Sequence, residues 1–248
     1  MKRGKQHEGQ LARLTTLGGL LGIKTAPLVP RLAPVSAACD EHMRITVTHA
    51  FDAILVTTRV TRDLAAPLCR WLDALAGDTL ELAIDATSIT AWSDEAAVPA
   101  DAPSPAVALA DDLSALGFDG ETWTFVFEQD NGEGLETTLA RIDELATART
   151  VTPPQRRIAA ELHRSLARGM TSRLSLRSRD GALEPALTLA WDRVEWAPIQ
   201  SMLRGFHPSG GGVDKIARLS RSSDTEHATV ELVLGPVDPP GMRFTFDV

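Results

Sequence analysis

Residues 152–191 read TPPQRRIAAELHRSLARGMTSRLSLRSRDGALEPALTLAW and carry the clearest structural signals of the chain. Thr152 and Gln155 have the spacing of a capping box, with proline at the first helical position. Apolar residues then recur every four positions, which is typical of one face of a helix. The pattern next changes to an alternation of period two across a turn at 180–181. We predict a helix over 153–168 and then a hairpin, with arginines on the outward face of each.

Similar patterns predict the other elements of the chain. Alternating apolar residues predict further strands over 43–49, 53–60, 79–85, 88–92, 123–127, 230–234 and 242–248. Apolar residues at helical spacing predict helices over 61–76, 105–116, 133–146 and 196–206, with a short helix from about 213. The proline- and acid-rich segment 93–104 has no period and predicts a loop.

The alternation of apolar and polar residues in most strands favours antiparallel sheets with one wetted face. The predicted fold class is therefore α+β, with a mostly antiparallel sheet and paired helices, in one compact region over 40–248. The order strand–strand–helix–strand–strand at 43–92 recurs at 172–248, which also fits an internal ββαββ duplication with halves 40–150 and 151–248. Repeating units of this kind can alternatively close a barrel around a pocket for a small molecule.

Charge is unevenly distributed along this chain of net charge −8. Residues 1–39 hold six basic residues and one acid, 40–150 six and twenty-one, 151–221 twelve and six, and 222–248 one and five. Such faces either neutralise each other or offer a basic surface to an anion. The acidic total argues against duplex DNA binding, and the absence of tyrosine weakens functions that need a phenol.

Residues 1–39 form a basic N-terminal arm that contains proline and glycine and differs in composition from the rest. Its apolar run, residues 14–23, is too short to span a membrane. A basic start before that run resembles a secretory signal peptide, but Lys24 and Arg31 follow the run, so an atypical signal is the minor alternative. The two cysteines do not make a disulfide framework, and Cys69 fits a small buried apolar residue. We predict a cytoplasmic protein.

No catalytic or metal-binding motif stands out, and we predict neither a metal site nor a cofactor. No two histidines have the spacing of zinc ligands on one helix. The glycine-rich segment 207–215 leads into a predicted helix, where backbone N–H groups and Lys215 could hold a phosphate. A plain flexible connection is the alternative explanation of that segment.

Two functions fit these observations. The first is a non-catalytic assembly module that uses its acidic (40–150) and basic (151–221) surfaces to bind a protein partner or a second copy of itself. The second is an enzyme or binding protein for a phosphorylated or anionic small molecule, because the fork of arginine suits phosphate and carboxylate. The candidate anion-binding residues are Arg157, Arg164, Arg168, Arg173, Arg177, Gly211, Gly212 and Lys215. Binding of single-stranded nucleic acid is a third, weaker hypothesis, because only Trp191 and Trp196 accompany these arginines.

Overall fold

Ten antiparallel strands are found in the computed structural model, which describes residues 3–36, 43–95, 99, 113–128, 151–166, 170–179, 182–206, 211–222, 226–235 and 241–247. The strands are β1 (Met43–Thr48), β2 (Ile54–Thr61), β3 (Thr79–Ile84), β4 (Ile89–Ser93), β5 (Leu113–Phe118), β6 (Trp123–Glu128), β7 (Met170–Arg179), β8 (Ala182–Glu195), β9 (His227–Leu234) and β10 (Gly241–Asp247). Each strand pairs with its neighbours in sequence, and β10 pairs with β1. The sheet is therefore a closed barrel.

The helices lie before the first strand and in the connections between hairpins. They are α1 (Arg3–Leu21), α2 (Val29–Ser36), α3 (Arg62–Ala65), α4 (Pro153–Leu166), α5 (Trp196–Phe206) and α6 (Gly211–Ser222), with a 3-10 turn at Leu72–Ala74. Turns of four or five residues join β1 to β2, β3 to β4 and β5 to β6. The barrel therefore has a hairpin end, where these turns lie, and a helical end, where the longer connections leave.

The register gives the barrel wall one apolar and one polar face. Ile45 stands opposite Val56 on one side and Phe246 on the other, and all three are buried. The intervening Thr46 stands opposite Thr245, and their hydroxyl oxygens are 2.8 Å apart. Directly opposed residues of an antiparallel pair share a face, so the two faces remain distinct around the whole ring.

The helices cover the apolar face. Phe246 of β10 packs edge-on against Trp196 of α5, with ring centroids 5.9 Å apart. The indole N–H of Trp191 in β8 donates to Nδ1 of His163 in α4 over 3.4 Å. Helices are about 10 Å wide, and even an eleven-stranded barrel encloses only a single central helix, so a ring of ten strands cannot enclose the several helices that pack on this face. These helices therefore lie outside the barrel, and the polar face lines its lumen.

This architecture corrects the predicted fold class. An α+β fold with paired helices and a ββαββ duplication is wrong, because the ten strands form one closed antiparallel ring, in which each strand pairs with its neighbours in sequence. The predicted direction of the hairpin arginines is also wrong. Arg173 and Arg177 share the lumenal face of β7, whereas Leu174 and Leu176 point outward and are buried.

Two predicted helices are also corrected. Leu113–Phe118 is strand β5 rather than the end of a helix over 105–116. The helix predicted over 61–76 ends at Ala65, shortly before Pro67, whose ring and missing N–H oppose continuation. The Arg62 guanidinium then organises the following turns by donating to the carbonyl oxygens of Leu72, Leu75 and Gly77 over 2.7, 2.5 and 2.9 Å. The predicted helix over 133–146 and most of the predicted loop over 93–104 lie outside the described residues.

The capping box is confirmed at the start of α4. The Thr152 N–H donates to Oε1 of Gln155 over 3.0 Å, and the Gln155 N–H donates to the Thr152 hydroxyl over 3.5 Å. Gln155 is buried, and its amide also donates to the carbonyl oxygen of Gly235 over 3.1 Å. The box therefore starts the helix and ties it to the end of β9.

Helix α1 of the N-terminal arm contributes to the core of the protein. Leu14, Leu17 and Leu21 are buried in the same cluster as the apolar face of the barrel. Gly18 allows the chain to fold back after α1, because a Cβ there would lie 2.3 Å from Cγ2 of Thr25. Whether the arm is a separate region stays a prediction.

Candidate functional site

The lumen is a concave surface lined with polar side chains, as the strand register shows. One row of directly opposed residues crosses seven neighbouring strands on this face. Its members are Arg59, Glu81, Trp92, Gly117, Thr124, Arg177 and Glu184. A lumen of ten strands is wider than that of the eight-stranded barrels that hold one small ligand, so this row lines a wall that a ligand can reach.

Trp92 is the large aromatic side chain of this row. It is half-buried, and its neighbour on β5 is Gly117. A Cβ on Gly117 would lie 2.6 Å from Cε3 and Cζ3 of the indole ring, closer than real contacts allow. The glycine therefore makes the space in which the benzo ring lies against β5. A large aromatic side chain that remains partly open among polar neighbours is typical of a ligand-contact surface.

Arginine and carboxylate side chains form ion pairs along the lumenal face. Arg44 bonds Glu81 across the intervening β2, and Arg59 bonds Asp94. The side chains of the first pair are 46% and 40% exposed, and those of the second are 62% and 60% exposed. Such exposed pairs are worth little to stability. Their exposure shows that solvent reaches this part of the lumen.

The same pairing is built into the strand register. Four of the five lumenal arginines with a described side chain stand directly opposite an acidic residue whose side chain is also described. These lumenal pairs are Arg44 with Asp247, Arg59 with Glu81, Arg177 with Glu184, and Arg243 with Glu231. Opposite charges at directly opposed positions attract, so the register itself balances the positive charge of the wall.

A bulge in β8 adds a carboxylate to the lumenal face at the helical end. Asp192 and Arg193 together occupy the position opposite Thr229, between the register pairs of Trp191 and Val194. Arg193 has a φ of 53°, a conformation that is uncommon outside glycine. The Thr229 hydroxyl donates to Oδ1 of Asp192 over 2.9 Å. Bulges re-aim side chains, and this one holds Asp192 beside the lumenal threonines.

Two pKa shifts mark groups at the edges of this site. Burial raises the pKa of Asp85, but hydrogen bonds from the backbone and hydroxyls of Thr87 and Ser88 outweigh burial, so its pKa lies below the usual value. Asp85 is therefore a carboxylate at neutral pH in the turn after β3. Burial raises the pKa of the Cys69 thiol to about 11, which confirms Cys69 as an unreactive buried side chain.

The structure divides the predicted anion-binding residues between the two sides of the wall. Arg157 and Arg164 lie exposed on α4, outside the barrel, where Arg157 is 3.8 Å from Glu161. The ammonium of Lys215 lies over the ring of Phe51 at 5.2 Å. Arg173 and Arg177 face the lumen, Gly211 and Gly212 begin α6, and Arg168 lies outside the described residues. Anion binding by any of them stays a prediction.

Sequence reasoning missed Trp92, Glu81 and Asp192 as site residues. The strand over 88–92 is predicted, and Trp92 lies on the same polar face of this strand as Thr90. A large aromatic residue on the polar side of a strand is the signal that could have found it. Asp192 gave no such signal, because the bulge that directs it depends on the pairing of β8 with β9.

Two absences hold within the described residues. None of the helices there is long and apolar enough to cross a membrane. No group of three or more histidine, cysteine, aspartate or glutamate side chains in those parts of the chain is arranged to hold a metal ion.

No family model and no curated protein matches the sequence. Among solved structures, AnaPT from Neosartorya fischeri, a prenyltransferase, matches with a TM-score of 0.57 and 12% identity. The match covers 83% of this chain and 77% of AnaPT. Two predicted functions are corrected by this likeness: the assembly module, and its alternative, an enzyme or binding protein for a phosphorylated or anionic small molecule at an arginine-lined pocket. The chain has the barrel fold of a prenyltransferase, and the helix arginines lie outside the barrel. At this identity the likeness is one of fold, and the chain resembles a prenyltransferase barrel.

Proposed function

We propose that this chain is an enzyme that binds an aromatic small molecule in the barrel lumen, with the Trp92 ring as the main contact surface. The single observation that carries the proposal is the position of Trp92 on the polar lumenal face, in the space left by Gly117. Aromatic rings favour stacked or edge-on contacts with other rings. The fold likeness to a prenyltransferase supports an enzymatic rather than a purely structural use of the barrel.

The lumen also supplies groups for acid–base chemistry on such a molecule. Asp192 is an exposed carboxylate that the Thr229 hydroxyl holds in place. A fixed carboxylate within reach of a ligand N–H or O–H can accept its proton. We assign Asp192 the role of proton acceptor within this proposed function, and Trp92 the role of positioning the ring.

The variant Gly117→Ala tests the proposal, because its new methyl group must displace the Trp92 ring. The probe is 2-naphthylmethanol, a neutral aromatic alcohol, titrated into the full chain by isothermal calorimetry. We expect Gly117→Ala and Trp92→Leu each to weaken binding about tenfold, the loss of one aromatic contact.

The matched control is Gly241→Ala, another strand glycine, where the new Cβ would make an ordinary contact of 3.7 Å with Val233. This variant should bind the probe as the unaltered chain does. Equal affinity in all four proteins, or no binding to the unaltered chain, would contradict the proposal.

A further inference from the structure

The charge of the lumenal wall bears on which aromatic molecules it accepts. Four of the five lumenal arginines with described side chains already face, through the strand register, an acidic residue whose side chain is also described. Three further carboxylates come from residues outside these pairs. Asp94 bonds Arg59, Asp119 bonds Arg177 over 3.3 Å, and Asp192 accepts from Thr229. Even with Arg193 counted, the described arginines of the lumen do not outnumber its described carboxylates.

An anion that entered this lumen would compete with carboxylates already in place. Arg44 and Arg59 each have an ion-pair partner, and each also stands opposite an acidic residue. Binding an anion there would release one carboxylate or bring two negative charges together, and like charges at short range repel. The arginines therefore offer an anion little net attraction.

A cation bound on the Trp92 ring would lie next to an attractive surface rather than a repulsive one. Glu81 stands directly opposite Trp92, with Cβ atoms about 5 Å apart in such a pair. The face of an indole ring attracts cations more strongly than the other aromatic rings do. Glu81 already bonds Arg44, so the ring face supplies the attraction for a cation, and Glu81 keeps the positive charge of Arg44 balanced beside it.

We infer that the lumen selects cationic and neutral aromatic molecules over anionic ones. This inference rests on the proposed function and names the ligand class of the same site. Arginine content alone would predict a preference for anionic ligands. The strand register and the loops instead place carboxylates beside these arginines, where an anionic ligand would otherwise bind.

Three naphthalene probes of similar shape and different charge test the inference at neutral pH. They are 2-naphthylmethylamine, a cation, 2-naphthylmethanol, which is neutral, and 2-naphthoate, an anion. Calorimetric titration of the full chain at low ionic strength should give a Kd for the amine at least about tenfold below that of the naphthoate. Added salt should narrow this ratio, because it screens charges that solvent reaches.

The variant Glu81→Gln localises the effect. It removes the carboxylate opposite Trp92 and frees Arg44, so the preference for the amine over the naphthoate should fall about tenfold. The matched control is Glu161→Gln on the outer surface of α4, which changes net charge equally and should leave the preference unaltered. Circular dichroism checks that both variants are folded.

The outcomes separate the two proposals. Equal binding of all three probes, or tightest binding of the naphthoate, overturns the charge preference and leaves the aromatic site standing. Failure of every probe to bind overturns the aromatic site, and the charge preference with it. An equal fall of preference in both glutamate variants would show an effect of net charge and would overturn the assignment to Glu81.

Discussion

At the scale of single residues, the two sides of the barrel wall treat side chains differently. Cys69 lies on the outer side, after α3, where burial removes the thiol from water. Arg44 lies on the inner side, where solvent reaches about half of its side chain. Burial therefore separates Cys69 from water, whereas Arg44 contacts both its ion-pair partner and solvent.

Cys69 should resist alkylation in the folded chain. Its pKa of about 11 keeps the thiol protonated at pH 8, and the thiolate is the reactive form. We expect mass spectrometry after iodoacetamide treatment to find the Cys69 peptide unmodified in native protein and modified in urea. Rapid alkylation of native protein at that pH would contradict the burial of this thiol.

The raised pKa of Cys69 should make the folded chain less stable at high pH. The pKa of Cys69 in the folded chain lies above the ordinary thiol value of 9.0, so this contribution to stability is fully present below about pH 9 and is lost as pH rises toward 11. The variant Cys69→Ala should lose less stability over that interval than the unaltered chain.

At the scale of elements, sequence patterns correctly predicted those helix and strand boundaries that neighbouring residues determine. The capping box of Thr152 and Gln155 needs only four consecutive residues, so the start of α4 was predicted correctly. The end of α3 was not predicted correctly, because Arg62 bonds three carbonyl oxygens ten to fifteen positions away and so favours turns over a longer helix. Strand β5 was mistaken for a helix, since its partners β4 and β6 were unknown.

Gln155 should matter more to stability than Thr152. Thr152→Ala removes one capping contact, which costs about 1 kcal/mol. Gln155→Ala also removes the buried side chain that donates to the carbonyl oxygen of Gly235, so we expect a loss about 1 to 2 kcal/mol larger. Chemical denaturation of both variants measures the difference, with the exposed Ser165→Ala on the same helix as a control. Equal losses would show that the bond to Gly235 contributes nothing.

At the scale of the whole molecule, ring closure decides which face of the sheet meets water inside the protein. Alternation in the sequence marks Leu174 and Arg173 as members of opposite faces, but not which face is concave. Closure pairs β1 with β10, which brings together residues such as Thr46 and Thr245, 199 positions apart. No local pattern encodes such a contact, so the sequence predicted the strands and offered a closed barrel only as an alternative, without its closing pair or its lumenal site.

The N-terminal arm should stabilise this ring. Leu14 is fully buried in the common core, so Leu14→Ala should lower the free energy of unfolding by about 3 kcal/mol. The exposed Thr16→Ala, two positions along α1, should change it by less than about 0.5 kcal/mol. A single unfolding transition for the unaltered chain would join arm and barrel in one cooperative unit. A negligible effect of Leu14→Ala would instead make the arm an independent appendage.

The pairing of β10 with both β9 and β1 also gives the two ends of the chain different mechanical resistance. A force that pulls at the C-terminus loads two ladders of backbone hydrogen bonds in shear, and both must break together before the first strand comes free. A force at the N-terminus first detaches helices α1 and α2, which no strand ladder holds. We therefore expect an unfolding machine that threads its substrate to be slowed more from the carboxyl end than from the amino end.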